Sequence, residues 1–287
     1  MEKTCPTMSS FKSKSVFPRR KPGVTPAPKG ALSIYDPIYM GLDTRGRAVR
    51  VTLMYRNILI GGEPGAGKSV AQGNIVAHAA LCSDVDLILI DGKIVELLPY
   101  APVADEFVGN DMRKALRVLR DLQTDLDERY LHLARTGRKK IVPGDGFRAK
   151  LLCVDELAYF TVTVGTKDQQ EEFRVLVRDI VARGRAAGII TVASTQRPSA
   201  DIVPTSLRDL FGYRLAFRCA TDSSSDIILG TGWSSQGHSA VDIEPEALGV
   251  GLLRAEGGFP RRLKTAFLND RQHKQIVRRA VHLRRAA

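Results

Sequence analysis

Eight consecutive residues, Gly62-Glu63-Pro64-Gly65-Ala66-Gly67-Lys68-Ser69, confine this chain to a narrow set of folds. They match G-x-x-x-x-G-K-[ST], a loop whose glycines let backbone N–H groups curl round a chain of phosphates. Lys68 supplies a point charge for β- and γ-phosphates, and the Ser69 hydroxyl suits a Mg2+ ion. Such a loop belongs between a buried strand and a helix, whose N-terminus offers unpaired N–H groups and the positive end of a dipole. The flanks comply. Asn57-Ile58-Leu59-Ile60 reads as a short buried strand, and Ser69 to Cys82 as a helix. The cofactors expected are therefore ATP and Mg2+.

The rest of the chain alternates in the same way. Asp86 to Asp91, Leu151 to Val154, Ile189 to Ser194 and Tyr213 to Arg218 are short apolar runs that read as strands. Between Asp111 and Arg135, apolar residues recur at helical spacing from Met112 to Leu133, with Asp111 as N-cap and Gly137 as stop. A second helix is expected from about Gln169 to Ala187, and a hairpin around Asp43-Thr44-Arg45-Gly46 ahead of the loop strand. Strands apolar on both faces, alternating with helices, predict an α/β fold with a mainly parallel sheet covered by helices on both faces. Three segments are expected: a disordered basic arm over 1–30, one α/β domain over 31–268, and a basic C-terminal helix over 269–287.

The formal charge of +12 sits almost wholly at the ends. Residues 1–30 carry seven Lys/Arg against one acid, and residues 269–287 six against one, leaving 30 against 29 between them. Basic arms attract polyanions, DNA or anionic lipid alike, by salt-screened attraction, and they also serve as solubilising tails. The four cysteines form no CxxC pair, which favours buried thiols in a reducing compartment over a disulfide scaffold. The five histidines show no ligand spacing. No apolar run approaches the ~18 residues of a membrane span, and the basic N-terminus lacks the apolar core of a secretory signal. The expected location is cytoplasmic, with membrane contact only through a partner or the basic ends.

Hydrolysis needs a metal held from the far side and a base for water. Leu151-Leu152-Cys153-Val154-Asp155-Glu156 supplies both: a buried strand with two carboxylates at its C-terminal end, where α/β sites lie. Asp155 is expected to hold Mg2+ and Glu156 to polarise the attacking water. Gln196, ending Ser194-Thr195-Gln196, is either a γ-phosphate sensor or a polar strand end.

Three stretches carry a specific resemblance. Asp155-Glu156-Leu157-Ala158, Arg183 to Ile189 (R-G-R-A-A-G-I) and Ser194 to Ser199 (S-T-Q-R-P-S) resemble the D-E-x-A-D, A-R-A-A-G-I and A-T-Q-R-P-S of FtsK/SpoIIIE motor domains. Ile90 to Leu97 resembles I-D-P-K-x-x-E-L, Asp127-Glu128-Arg129-Tyr130 resembles M-E-R-R-Y, and Tyr213 to Phe217 resembles T-R-I-A-F. Ala266-Phe267 with Asp270 resembles the closing A-F-x-x-D, so the likeness spans roughly Pro37 to Val281. It implies a RecA-like P-loop NTPase fold assembled as a homo-oligomeric ring, commonly a hexamer, with ATP between subunits and double-stranded DNA in the pore. Lys68, Ser69, Asp155, Glu156 and Gln196 keep the roles already read. Arg185 aligns with an arginine reaching the neighbour's nucleotide, Arg214 is a second candidate, and Arg208 falls where a pore loop is basic. No small-molecule substrate other than ATP is implied.

Family members usually add membrane spans and a DNA-reading module. Without these, the chain most resembles the short FtsK-like transfer proteins of actinobacterial conjugative plasmids and integrating elements. That predicts DNA translocation during conjugation, with a membrane partner of the transfer apparatus. A secretion motor, a chromosome or plasmid segregation translocase and a non-catalytic scaffold are the other readings. The pore departs too: the family's S-K-I-D-S-R-T-I-L becomes Thr221 to Leu229, with Asp222 and Asp226 at both basic positions. Either grip comes from elsewhere or this loop does not line the pore. The insert Gly232 to His238 has no close counterpart in the family pattern.

Overall fold

The computed structural model describes residues 28–285. The expected arm over 1–30 therefore lies almost wholly outside the described residues. Apolar runs with side chains alternating between two faces build the centre of the molecule. The P-loop strand shows the pattern: Leu59 packs with one core, Ile58 and Ile60 with the other, and all are fully buried.

Ten strands form one sheet in the order β2-β1-β10-β9-β8-β3-β7-β6-β4-β5. The strands β3 (Ile58–Gly61), β4 (Val85–Asp91), β5 (Glu106–Val108), β6 (Ala149–Asp155), β7 (Ile189–Thr195) and β8 (Tyr213–Phe217) run parallel. The strands β1 (Ile38–Asp43), β2 (Ala48–Val51), β9 (Val250–Ala255) and β10 (Arg261–Thr265) extend β8 as an antiparallel wing. The β1–β2 hairpin lies where the sequence predicts it. The β9–β10 pair and β5 were not foreseen: β5 and β10 carry only one and two buried residues, and the short Val250-Gly251-Leu252-Leu253 run of β9 has no neighbouring strand signal beside it.

One face is covered by α1 (Lys68–Ala80) and α6 (Asp270–Arg285), the other by α2 (Met112–Thr136), α3 (Lys167–Ala187) and α5 (Asp222–Leu229). A short α4 (Thr205–Arg208) precedes β8. α2 starts and stops as its sequence requires: Asp111 accepts the N–H of Lys114 at 3.0 Å, and Gly137 closes it in the left-handed region. A capping box between Thr166 and Gln169 starts α3. The basic helix α6 docks through the nearly buried Arg284, which donates to the carbonyls of Ala79, Ala80 and Val85 and pairs with Asp105 at 3.1 Å. Cys82, Cys153 and Cys219 are buried free thiols. No described helix is long and apolar enough to cross a membrane.

Candidate functional site

The C-terminal ends of β3, β6 and β7 converge on one patch. β7 lies between β3 and β6, so the P-loop and the Asp155-Glu156 pair are two strands apart. In register, Gly61 sits opposite Thr195 and Asp91 opposite Asp155.

Gly62, Gly65 and Gly67 all adopt positive φ, and Gly67, at 122°, is the N-cap of α1. A Cβ at Gly67 would fall 2.7 Å from the Cα of Gly249, so the loop lies flat on the start of the wing. The Gly249 N–H bonds to Ala66 O at 2.9 Å, and Glu63 is held by Arg218 at 2.8 Å. Pro64 and Gly65 form the exposed crest, and Ser69 is half-buried at the start of the helix. No side chain caps α1 and no acid occupies its first turn, leaving its N-terminal N–H groups free for an anion. The buried Lys68 ammonium donates to Glu63 O at 2.7 Å. Burial pulls its pKa down to about 8, Lys93 pushing the same way while Glu156 and Asp155 oppose.

Asp155 and Glu156 are 5% and 7% exposed. Asp155 Oδ1 lies 3.1 Å from the Ser194 hydroxyl, whereas Oδ2 is buried with no hydrogen-bond partner. Burial, with Asp91 adding negative charge, pushes the carboxyl up to about 6; Lys93 and the Ser194 bond oppose. An unpartnered buried carboxylate oxygen is expensive unless a cation or ordered water completes it. Glu156 occupies the left-handed region at φ 58°, a conformation costing about 1–3 kcal/mol in a residue with a side chain. Its carboxylate explains what holds it there: Oε1 accepts the Thr195 hydroxyl at 3.0 Å and Oε2 the Gln196 N–H at 2.9 Å. Lys93 stands 3.8 Å away.

Thr195, Ser194 and Lys93 were not singled out from the sequence, and Gln196 touches Glu156 through its backbone. The signal for Lys93 lay in Ile90-Asp91-Gly92-Lys93. The buried Asp91 carboxylate accepts the N–H groups of Lys93, Ile94, Val95 and Leu97 at 2.8–3.2 Å, winding the loop so that Lys93 faces Glu156.

The arginines lie elsewhere. Arg185 ends α3 at the opposite, N-terminal end of the parallel strands, donating to Tyr55 O at 3.1 Å and pairing with Glu256 at 2.9 Å. It is bracketed by the Arg129-Tyr130 motif: the buried Arg129 donates to Ala187 O and Arg148 O, both at 2.8 Å, and the Tyr130 hydroxyl to Arg183 O at 3.0 Å. Arg214 is buried on β8, tied to Asp209 at 3.0 Å, and burial lowers its pKa against that pairing. Arg208 donates to Thr231 at 3.0 Å near the same Asp209. Neither Arg214 nor Arg208 joins the P-loop patch.

The acidic substitutions and the insert explain one another. Asp226 accepts the N–H groups of Gly232 and Ser234 at 2.7 and 2.9 Å and the Ser234 hydroxyl at 2.9 Å. Those bonds hold its pKa below the usual carboxylate range although burial opposes. Asp222 accepts the Ser239 hydroxyl at 2.5 Å. Both carboxylates therefore fasten the segment 232–239 to α5. Trp233 then stacks edge-on with His238 and Phe259 and lies under Arg254.

Residues 37–161 match the model of the FtsK/SpoIIIE family. The chain is 29% identical over 275 residues to the DNA translocase FtsK of Corynebacterium efficiens, covering 85% of this chain and 28% of that protein. It is 31% identical over 201 residues to FtsK of Chlorobaculum tepidum, covering 63% and 24%. It thus spans about a quarter to a third of the curated relatives it matches. The solved TcpA conjugation coupling protein of pCW3, in a monomer form with ATPγS, shares the fold with a TM-score of 0.76 at 21% identity, covering 94% of this chain and 75% of that one. ATPases 2 and 3 of EssC from Geobacillus thermodenitrificans share it at 0.72 and 14% identity, covering 94% and 52%.

Proposed function

We propose that this chain, which carries a domain of the FtsK/SpoIIIE family, is an ATP-driven translocase of double-stranded DNA. The observation that carries the ATPase part is the pairing of an uncapped P-loop helix with Asp155, whose Oδ2 is buried and unpartnered at the same end of the sheet. The DNA part rests on the FtsK relatives, matched over most of this chain.

Gly62 to Gly67 and the first turn of α1 bind phosphate oxygens, and Lys68 orients the β- and γ-phosphates. The donor set fits a hard cation: Ser69 and Asp155 would hold Mg2+, which shields phosphate charge when bound. Glu156 accepts the proton of the attacking water. Its two oxygens already accept hydrogen bonds from Thr195 and Gln196, so a proton taken up by Glu156 weakens the contacts that hold the end of β7. Proton transfer is thereby coupled to the position of Gln196.

Arg185 acts on the next subunit. β7 begins four residues after Arg185 and ends opposite Gly61, a length of about 23 Å at 3.3 Å per residue, so one chain cannot place Lys68 and its own Arg185 on the same phosphate. Two chains in a head-to-tail ring can. A hexamer round DNA is the form we favour, with Arg208 as its DNA contact and a membrane-bound partner in a transfer apparatus. The biological setting we assign is conjugative transfer, supported by the shared fold with a conjugation coupling protein.

Steady-state ATPase measurement with and without duplex DNA, across protein concentration, tests this. Activity should rise steeply with concentration and with DNA, and Lys68→Ala should abolish it. Stimulation by a secreted protein and not by DNA would favour the export reading that the EssC fold also accommodates.

A further inference from the structure

At the Arg185 end of the sheet, the antiparallel wing leaves a groove of about 510 Å3. Its floor is apolar, made by Leu253, Ala255, Leu263 and Phe259, the last 67% exposed. Its rim is basic: Arg45, Arg47, Arg50, Arg261 and Arg262 line it or the hollow beside it. The one acid there, Asp43, is already committed to Arg47 at 2.8 Å and to the backbone of its own turn. Arg45, Arg261 and Arg262 pair with no described acid. The groove is linked to Arg185 through the β9–β10 turn, which carries both Glu256, the partner of Arg185, and Phe259 of the groove.

The opposite end of the sheet carries a complement. Between α5 and β9, the turn over 242–246 exposes Asp242, Glu244 and Glu246, none paired with a described base. Leu248 follows, 60% exposed, and Gly249 is bonded to the P-loop at Ala66 O. Acids beside an exposed leucine match arginines round an apolar floor.

We propose that the groove receives the 242–246 turn and Leu248 of a second copy of the chain, so that one contact docks the subunits and delivers Arg185 to the neighbour's P-loop. The inference rests on the head-to-tail ring reading above. A heterologous contact of this kind repeats from copy to copy and closes when the rotation allows. It also gives assembly a salt dependence, since most of its charges stay near solvent.

Light scattering on the full chain, with ATPγS and duplex DNA present, tests it through charge exchange. Arg261→Glu with Arg262→Glu should raise the concentration for half-assembly by about tenfold or more. Glu244→Arg with Glu246→Arg, in an exposed turn where folding is not at stake, should do the same. All four in one chain should return assembly to within about threefold of the parent, a coupling that misfolding cannot imitate. Loss in both pairs without recovery in the quadruple variant overturns the proposal. So does unchanged assembly with weakened DNA binding in the arginine pair, which would make the groove a nucleic-acid surface and leave the ring standing. A parent chain that stays monomeric throughout sinks the ring and the groove together.

Discussion

At the P-loop end of the sheet, charged groups are buried, strained or short of partners: Lys68 is dehydrated, Asp155 Oδ2 is unpaired, and Glu156 sits at positive φ. At the other end, Arg185 is 38% exposed and already bonded to Tyr55 and Glu256, braced by Arg129 and Tyr130. One end is poised at a standing cost for a ligand; the other is finished and waits to be brought somewhere. The contrast teaches where each kind of damage should show. Changes at the P-loop end should alter binding and pH response within one subunit, and changes at the Arg185 end should appear only once subunits meet.

The sharpest way to break that division is Arg185→Ala. It should lower kcat by about 10³–10⁵ while leaving ATP-analogue binding to the isolated subunit unchanged, measured by titration calorimetry; weakened binding in the monomer would put Arg185 in its own site. Glu156→Gln comes next, with about 10²–10⁴ lost in turnover and ATP retained, which single-turnover kinetics would read.

Asp155→Asn tests the cost of poise. The raised carboxyl favours the neutral form, so the stabilisation it gives is complete below the ordinary carboxylate pKa and is lost as pH climbs through about 6. Without nucleotide and metal, the asparagine variant should therefore be more stable at pH 7.5, by on the order of 1–3 kcal/mol, and equal to the parent near pH 3.5. Denaturant melts across pH decide it; a pH-independent difference would mean Asp155 carries no burial cost. The smallest effect belongs to neither end. Asp226→Ala should cost about 1–2 kcal/mol and speed hydrogen exchange over 232–238, with the ATP site untouched.

What could be read beforehand was whatever a few adjacent residues encode. The P-loop, the Asp155-Glu156 strand end, the caps at Asp111 and Gly137 and the β1–β2 hairpin all carry their signal within a short window. The wing pair β9–β10 did not, since β10 alternates charge with burial and looks like loop, and the four-residue run that opens β9 has no neighbouring strand signal beside it. Roles that depend on long-range contact were also hidden. Glu156 is held by residues some forty positions away, Arg129 reaches Ala187 and Arg148, and Asp226 looks like a lost basic residue until the segment at 232–234 is folded onto it. Arg214 shows the reverse: a free arginine on paper, it is a buried strut on β8.

The unbroken sheet has a mechanical consequence. Three ladders, β10 to β9, β9 to β8 and β8 to β3, join the wing to the strand that bears the P-loop, with no hinge among them. In the proposed ring, a load applied to the wing by a neighbouring subunit would therefore be borne as lateral shear by the strand that ends at the P-loop. Such a body is stiff across its width, so in the proposed ring any stroke would come from how whole subunits tilt against one another.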